Sequence, residues 1–162
     1  MAMLGEEKEG IALLQTGIAA RNKFNDQVTQ PILYCMLART YLKMGNHKEA
    51  WIAWSEAMTL LEESDERLWE TEIYIVQSDL QLAQGDERGA QASLEKALSV
   101  ARRQQAKSFE LRAAISLAHL WQKQGKHDRA RRMLEQIYNW FTEGHNTADL
   151  REAQTLLAEL SS

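Results

Sequence analysis

At 162 residues, 44% of them apolar and 26% charged, the chain is long enough for one domain or a short array of repeats and for a buried core. Its single proline, Pro31, stands among abundant Ala, Leu, Glu, Gln, Lys and Arg, which predicts an all-α protein. The net charge of −4 gives no electrostatic reason to expect a nucleic-acid partner, and the lone cysteine, Cys35, excludes an intramolecular disulfide, so a reduced, cytoplasmic setting is expected. No apolar run reaches the roughly 18 residues that mark a membrane span. The opening residues, Met1 to Glu7, lack the basic and apolar regions of a signal peptide, so no membrane association is expected.

In chain order, the spacing predicts a helix over 6–23, then helices over 30–44 and 47–63, 67–84 and 87–105, and 108–124 and 127–142. A closing helix is predicted over 148–160. Pro31 falls in a first helical turn, where a missing N–H costs nothing. Asn46 and Asp86 are expected to cap the helices that follow them, whereas Lys126 is a poor cap. The stretch 142–147 reads as a turn, with Thr147 or Asp149 capping the last helix.

The strongest signal is repetition. Gly5, Gly45, Gly85 and Gly125 recur every 40 residues. Five residues after each comes a small residue (Gly10, Ala50, Ala90, Ala130), then a large apolar one (Leu14, Trp54, Leu94, Leu134), then Gly17, Ala57, Ala97 or Ile137. Each unit reads as helix, glycine turn, helix, the glycine supplying the left-handed backbone that ends the first helix. Small residues allow close helix approach, and a hairpin unable to bury its own face must stack on its neighbours.

The pattern Ala38, Tyr41, Gly45, Ala50, Trp54, Ala57 resembles the tetratricopeptide repeat (TPR), and the resemblance covers essentially the whole chain. Ser78 and Gln81 depart from it in the second unit, and the 40-residue period is longer than the usual one. The resemblance implies a right-handed α-solenoid of stacked antiparallel helical hairpins, a single TPR-like domain over 1–162. Within it, 6–23 is a half repeat, 30–63, 67–105 and 108–142 are hairpins, and 148–160 is a capping helix. Residues 116–160, with Trp-Phe-Thr-Glu-Gly at 140–144 and Asp149, Leu150, Glu152 and Ala153 after it, are similar to the C-terminal segment of large bacterial proteins. Those proteins carry a signal-transduction ATPase module, often with a class III adenylate cyclase or DNA-binding domain. That implies a fragment of a larger protein whose enzymatic parts lie upstream.

The residues themselves offer little chemistry. Neither Gly-x-x-x-x-Gly-Lys-Ser/Thr nor Gly-x-Gly-x-x-Gly occurs, so no nucleotide cofactor is expected. The four histidines have no second ligand at metal spacing, and Cys35 has no histidine placed to activate it. No catalytic residue, cofactor or metal is assigned, and the chain is read as no enzyme. Trp51, Trp54, Trp69, Trp121 and Trp140 read as core and inter-repeat packing. The acidic stretch 62–72 and the basic stretch 101–132 read as solvated faces able to orient a partner.

In tetratricopeptide arrays the first helix of each hairpin lines a concave groove. Carried over by position, a peptide groove is expected to show Ile32, Cys35, Arg39 and Lys43, then Glu72, Ile75, Asp79 and Leu82, then Arg112, Ile115, His119 and Lys123. Arg39 and Arg112 are expected to be exposed charges of little consequence for stability. The groove suits an extended or helical peptide, while Cys35 and Asp79 do not match the Lys and Asn clamp for a C-terminal carboxylate. Two functions stay open: a regulatory interaction scaffold within a larger signalling protein, and a free-standing adaptor. Met3-Leu4-Gly5 aligns with Lys43-Met44-Gly45, so the chain is expected to start mid-hairpin. That leaves Leu13, Leu14 and Ile18 open for a homodimer through the N-terminal helix.

Overall fold

Strong helix formers with one proline leave no competing backbone state. The computed structural model, which describes residues 2–24, 26 and 28–162, holds eight helices and no strand among them. They are α1 (Ala2–Phe24), α2 (Gln30–Lys43), α3 (His47–Glu63), α4 (Glu70–Ala83), α5 (Glu87–Arg103), α6 (Lys107–Lys123), α7 (His127–Tyr138) and α8 (Ala148–Leu160). The all-helical expectation is met.

Three turns follow one pattern. Gly45, Gly85 and Gly125 take φ of 77°, 80° and 76°, and in the first and last of these turns the next amide reaches back across the turn. Asn46 N–H donates to Tyr41 O (2.9 Å) and Lys126 N–H to Trp121 O (2.8 Å), satisfying carbonyls that a helix end leaves open. The α5–α6 turn has the same geometry without glycine: Gln105 takes φ of 55°, and Ala106 N–H donates to Ala101 O (2.9 Å).

Gly5, expected to be a turn, lies instead inside α1. The residues that follow it, Glu6-Glu7-Lys8, are helix formers and include no capping side chain. A glycine inside a helix costs only about 1 kcal/mol. Of the expected caps, Asp86 accepts from Gly89 N–H (2.9 Å) and Thr147 from Leu150 N–H (3.4 Å), while Asn46 makes no side-chain cap. The helix expected over 127–142 ends at Tyr138, with Asn139 as its C-cap.

The helices group into two compact units, one ending at Gly85 and one beginning at Asp86. In the first, α1 packs on α2, α2 and α3 form a hairpin, and α4 lies against both. Its core gathers Ile18, Leu37, Ala38, Ala50, Ala53, Ala57, Ile73, Val76 and Leu80. Trp51 and Trp54 meet edge to face at 5.4 Å, and the Trp54 indole donates to Ile73 O (2.9 Å), which ties α3 to α4. In the second unit α6 packs on both α5 and α7, and α8 closes on α6 and α7. The small repeat positions Ala50, Ala90 and Ala130 are fully buried, as are Ala57, Ala97, Leu94 and Leu134.

The open stripe expected on the N-terminal helix is narrower than its spacing implied. Ile18 is buried and Leu14 packs half-buried against the core, while Leu13 is 73% exposed. A helix lying on α2 turns one stripe inward, and Leu13 falls outside it.

Candidate protein-interaction site

The expected groove residues sit on α2 and α4 in the first unit and on α6 in the second. On α2, Cys35 is fully buried. Burial, aided by the nearby Glu72 carboxylate, pushes its thiol up to about 12. It is therefore a packed, protonated thiol and not a surface a ligand meets. Ile75 on α4 and Ile115 on α6 are also buried, each 4% exposed. These three members of the expected set thus belong to the core, while Ile32 and Leu82 are half-buried.

The charged members remain nearer solvent, but most are engaged. Arg39 pairs with Glu72, whose side chain is fully buried, and lies 3.6 Å from Asp79. This corrects the reading of Arg39 as a free surface charge: helix α4 brings a buried carboxylate against it. Lys43 is exposed at the end of α2. On α6, Arg112 lies 3.8 Å from Asp149, His119 Nε2 lies 3.0 Å from Glu152, and Lys123 Nζ lies 2.8 Å from Glu87. The hydrogen bond from Lys123 is the main reason the Glu87 carboxyl is held below its ordinary range. A partner docking on α6 must therefore compete with carboxylates of this same chain.

The sequence reading missed a cluster at the far end of α5. Glu110 is only 4% exposed. Burial pushes its carboxyl up, but hydrogen bonds from Lys107 (2.8 Å) and Arg102 (2.9 Å) outweigh this and hold it low. Beside it Trp140 is 58% exposed and meets Phe141 edge to face. The only signal was an aromatic pair inside the expected span of the helix over 127–142, which lies just past the observed end of α7 at Tyr138.

Among the described residues no group of three or more His, Cys, Asp or Glu is placed to hold a metal ion, and no helix is long and apolar enough to cross a membrane. Antiparallel helical hairpins such as α2–α3 and α6–α7, built on a repeated glycine turn, define a helical-repeat protein. A tetratricopeptide repeat family model matches residues 29–103, and a second one matches residues 111–136. The chain belongs to the tetratricopeptide repeat family. No curated protein matches it.

Among solved structures, BtubC (BKLC) from P. vanneervenii is similar, with TM-score 0.77 and 19% identity over 95% of this chain. This chain spans 65% of that one's length. A putative kinesin light chain with nearly identical TPR-like repeats from Podosopora anserina is similar with TM-score 0.67 and 19% identity, covering 98% of this chain and 79% of the other. A point variant of that kinesin light chain gives 0.68 and 18%, covering 98% and 78%. At such identities the likeness shows the fold. Family membership implies a protein–protein interaction scaffold of a kind that is typically non-catalytic.

Proposed function

We propose that residues 1–162 form one TPR domain that binds a protein or peptide partner through the first helices of its hairpins, Arg39, Lys43 and Asp79 in one unit and Arg112, His119 and Lys123 in the other. The observation that carries this reading is the display of these polar residues along α2, α4 and α6, where the 40-residue register relates Arg39 to Asp79 and His119 and Lys43 to Lys123, while Arg112 takes the position of Ile32 and Glu72. The buried Cys35, Ile75 and Ile115 support the helices beneath. The domain serves in the cytoplasm as the C-terminal, regulatory repeat segment of a larger bacterial signalling protein, in which it restrains an upstream ATPase or cyclase module. The alternative role is a free-standing adaptor. The length of the complete reading frame separates the two, since a frame encoding only this repeat array removes the regulatory role.

A photo-crosslinking amino acid placed at Lys43 or Lys123 tests the surface itself. The expected result is a discrete partner adduct from these positions and none from Lys48, which is exposed on a second helix. Equal adducts from all three positions, or none from any, would remove the first-helix face from consideration.

A second reading concerns α1. Leu13 stands 40 residues before Ala53 and 80 before Ser93, which are 3% and 7% exposed, yet it is 73% exposed itself. Those two equivalents are buried, and the third, Met133, is half-buried. We infer that a second copy of this chain covers Leu13, giving a two-fold dimer through α1.

A further inference from the structure

Arg102, on the last turn of α5, lines three neighbouring clefts of the second unit. One, of about 370 Å³, lies between α5 and α7 over Trp121 and Leu117 of α6. The other two, of about 660 and 420 Å³, flank Lys107 and Trp140. Each falls within the size range of small ligand pockets. Together they are bracketed by two cation–aromatic pairs. The Arg129 guanidinium lies 4.2 Å from the centre of the Trp121 ring, and the Lys107 ammonium 5.6 Å from that of Trp140.

Charge distinguishes this face from the groove. Along α6, Arg112, His119 and Lys123 each meet a carboxylate of their own. At the clefts, Arg102 and Lys107 share a single carboxylate, Glu110. That side chain is only 5% exposed, whereas those of Arg102 and Lys107 are 54% and 35% exposed, so solvent meets the cations and not the anion. Arg129 has no carboxylate partner among the described residues and is held by the Trp121 ring alone. Glu95, at the rim, is engaged by Gln91. The Trp121 Nε1–H, in a residue only 5% exposed, is itself withdrawn from solvent and finds no acceptor among the described residues, so the indole serves as the apolar floor of the 370 Å³ cleft.

We infer that this α5–α7 face is a second binding surface, distinct from the first-helix groove, and that its ligand is an acidic polypeptide segment. Carboxylates match guanidinium groups two bonds at a time, and the exposed indole of Trp140 offers apolar contact beside them. A single-stranded nucleic acid fits less well. It needs successive stacking platforms, and Trp121 is buried and already covered by Arg129.

Fluorescence anisotropy with the full chain tests this, using a labelled Glu-rich peptide, its Gln-substituted counterpart and an oligothymidine of equal length. The expected result is binding of the Glu peptide that weakens with added salt, and none of the Gln peptide. Arg129→Gln and Trp140→Ala alter exposed side chains and should keep the circular dichroism of wild type. Each should weaken Glu-peptide binding by about fivefold or more, while Lys48→Gln, exposed on α3 and outside both surfaces, leaves it unchanged. Failure of the Glu peptide to bind, equal loss in Lys48→Gln, or tighter binding of the oligothymidine would overturn the proposal.

Discussion

Arg39 and Arg112 look interchangeable in the sequence, since both are arginines on first helices, yet their surroundings set them far apart. Arg39 neutralises Glu72, a carboxylate fully withdrawn from solvent. Arg112 faces Asp149 across 3.8 Å with both side chains more than a third exposed. Arg39→Glu leaves a buried charge opposed by a like one and is expected to destabilise the protein by on the order of 3 kcal/mol. Arg112→Glu is expected to cost about 1 kcal/mol or less. Urea unfolding of the two variants checks this, and equal midpoints would mean that Glu72 is not held by Arg39. Gln105 is the second residue whose role its type conceals. It occupies the left-handed position that glycine fills in three other turns, at a conformational cost for any side chain. Gln105→Gly should therefore raise stability by about 0.5–1 kcal/mol, against the usual destabilising effect of an added glycine. A lower melting temperature would show that the Gln105 side chain is needed in the turn. Neither role was legible in the sequence. A pairing between α2 and α4 depends on how helices meet, and a turn closed by a residue other than glycine gives no punctuation to read.

At the scale of the element, the repeat was the legible part. Forty-residue spacing placed three glycine turns and the fully buried alanines, because turn geometry and close helix approach each demand one residue type at one position. Gly5 shows the limit of that inference: spacing alone, without a capping residue after it, did not break the helix. Caps divide in the same way. Asp86 holds Gly89 N–H, while Asn46 at the equivalent position holds nothing with its side chain. Asp86→Ala is expected to cost about 1 kcal/mol and Asn46→Ala less than half of that. Thermal melts of the two variants decide it, and equal losses would place the stabilisation in the turn backbone instead. The register also explains α8, which packs on α6 and α7 as α4 packs on α2 and α3. Leu111, Ala114 and Ala118 of α6 are buried, but their equivalents forty residues on, Arg151, Gln154 and Ala158, are exposed. Helix α8 thus keeps the inward face of a first helix and carries polar or small residues where α6 is apolar, which is the composition of a cap.

Over the whole molecule, charge and exposed apolar surface are unevenly shared. Residues up to Gly85 carry thirteen Asp and Glu against seven Lys and Arg, while those from Asp86 on carry ten against twelve. Most of the large apolar side chains left exposed lie in the acidic part, with Leu13, Phe24, Val28, Met36, Ile52 and Leu68 there and Trp140 in the other. Leu13 and Met36 are both exposed where repeat equivalents are buried, Ala53 and Ser93 for the one and Val76 and Leu156 for the other, and the proposed dimer centres on the more exposed of the two, Leu13 of α1. A contact built on one helix face buries little area, so the dimer should be weak and appear only at high protein concentration. Light scattering across a dilution series should show mass rising toward twice that of the chain at high micromolar concentration. Leu13→Glu should hold the protein monomeric without lowering its melting temperature, because the side chain already faces water. Leu14→Glu is the poorer variant, since Leu14 packs against the core and its loss would confuse unfolding with dissociation. A wild type that stays monomeric throughout the series, or a dimer that persists in Leu13→Glu, would mean that α1 is left open in solution or that association uses another face.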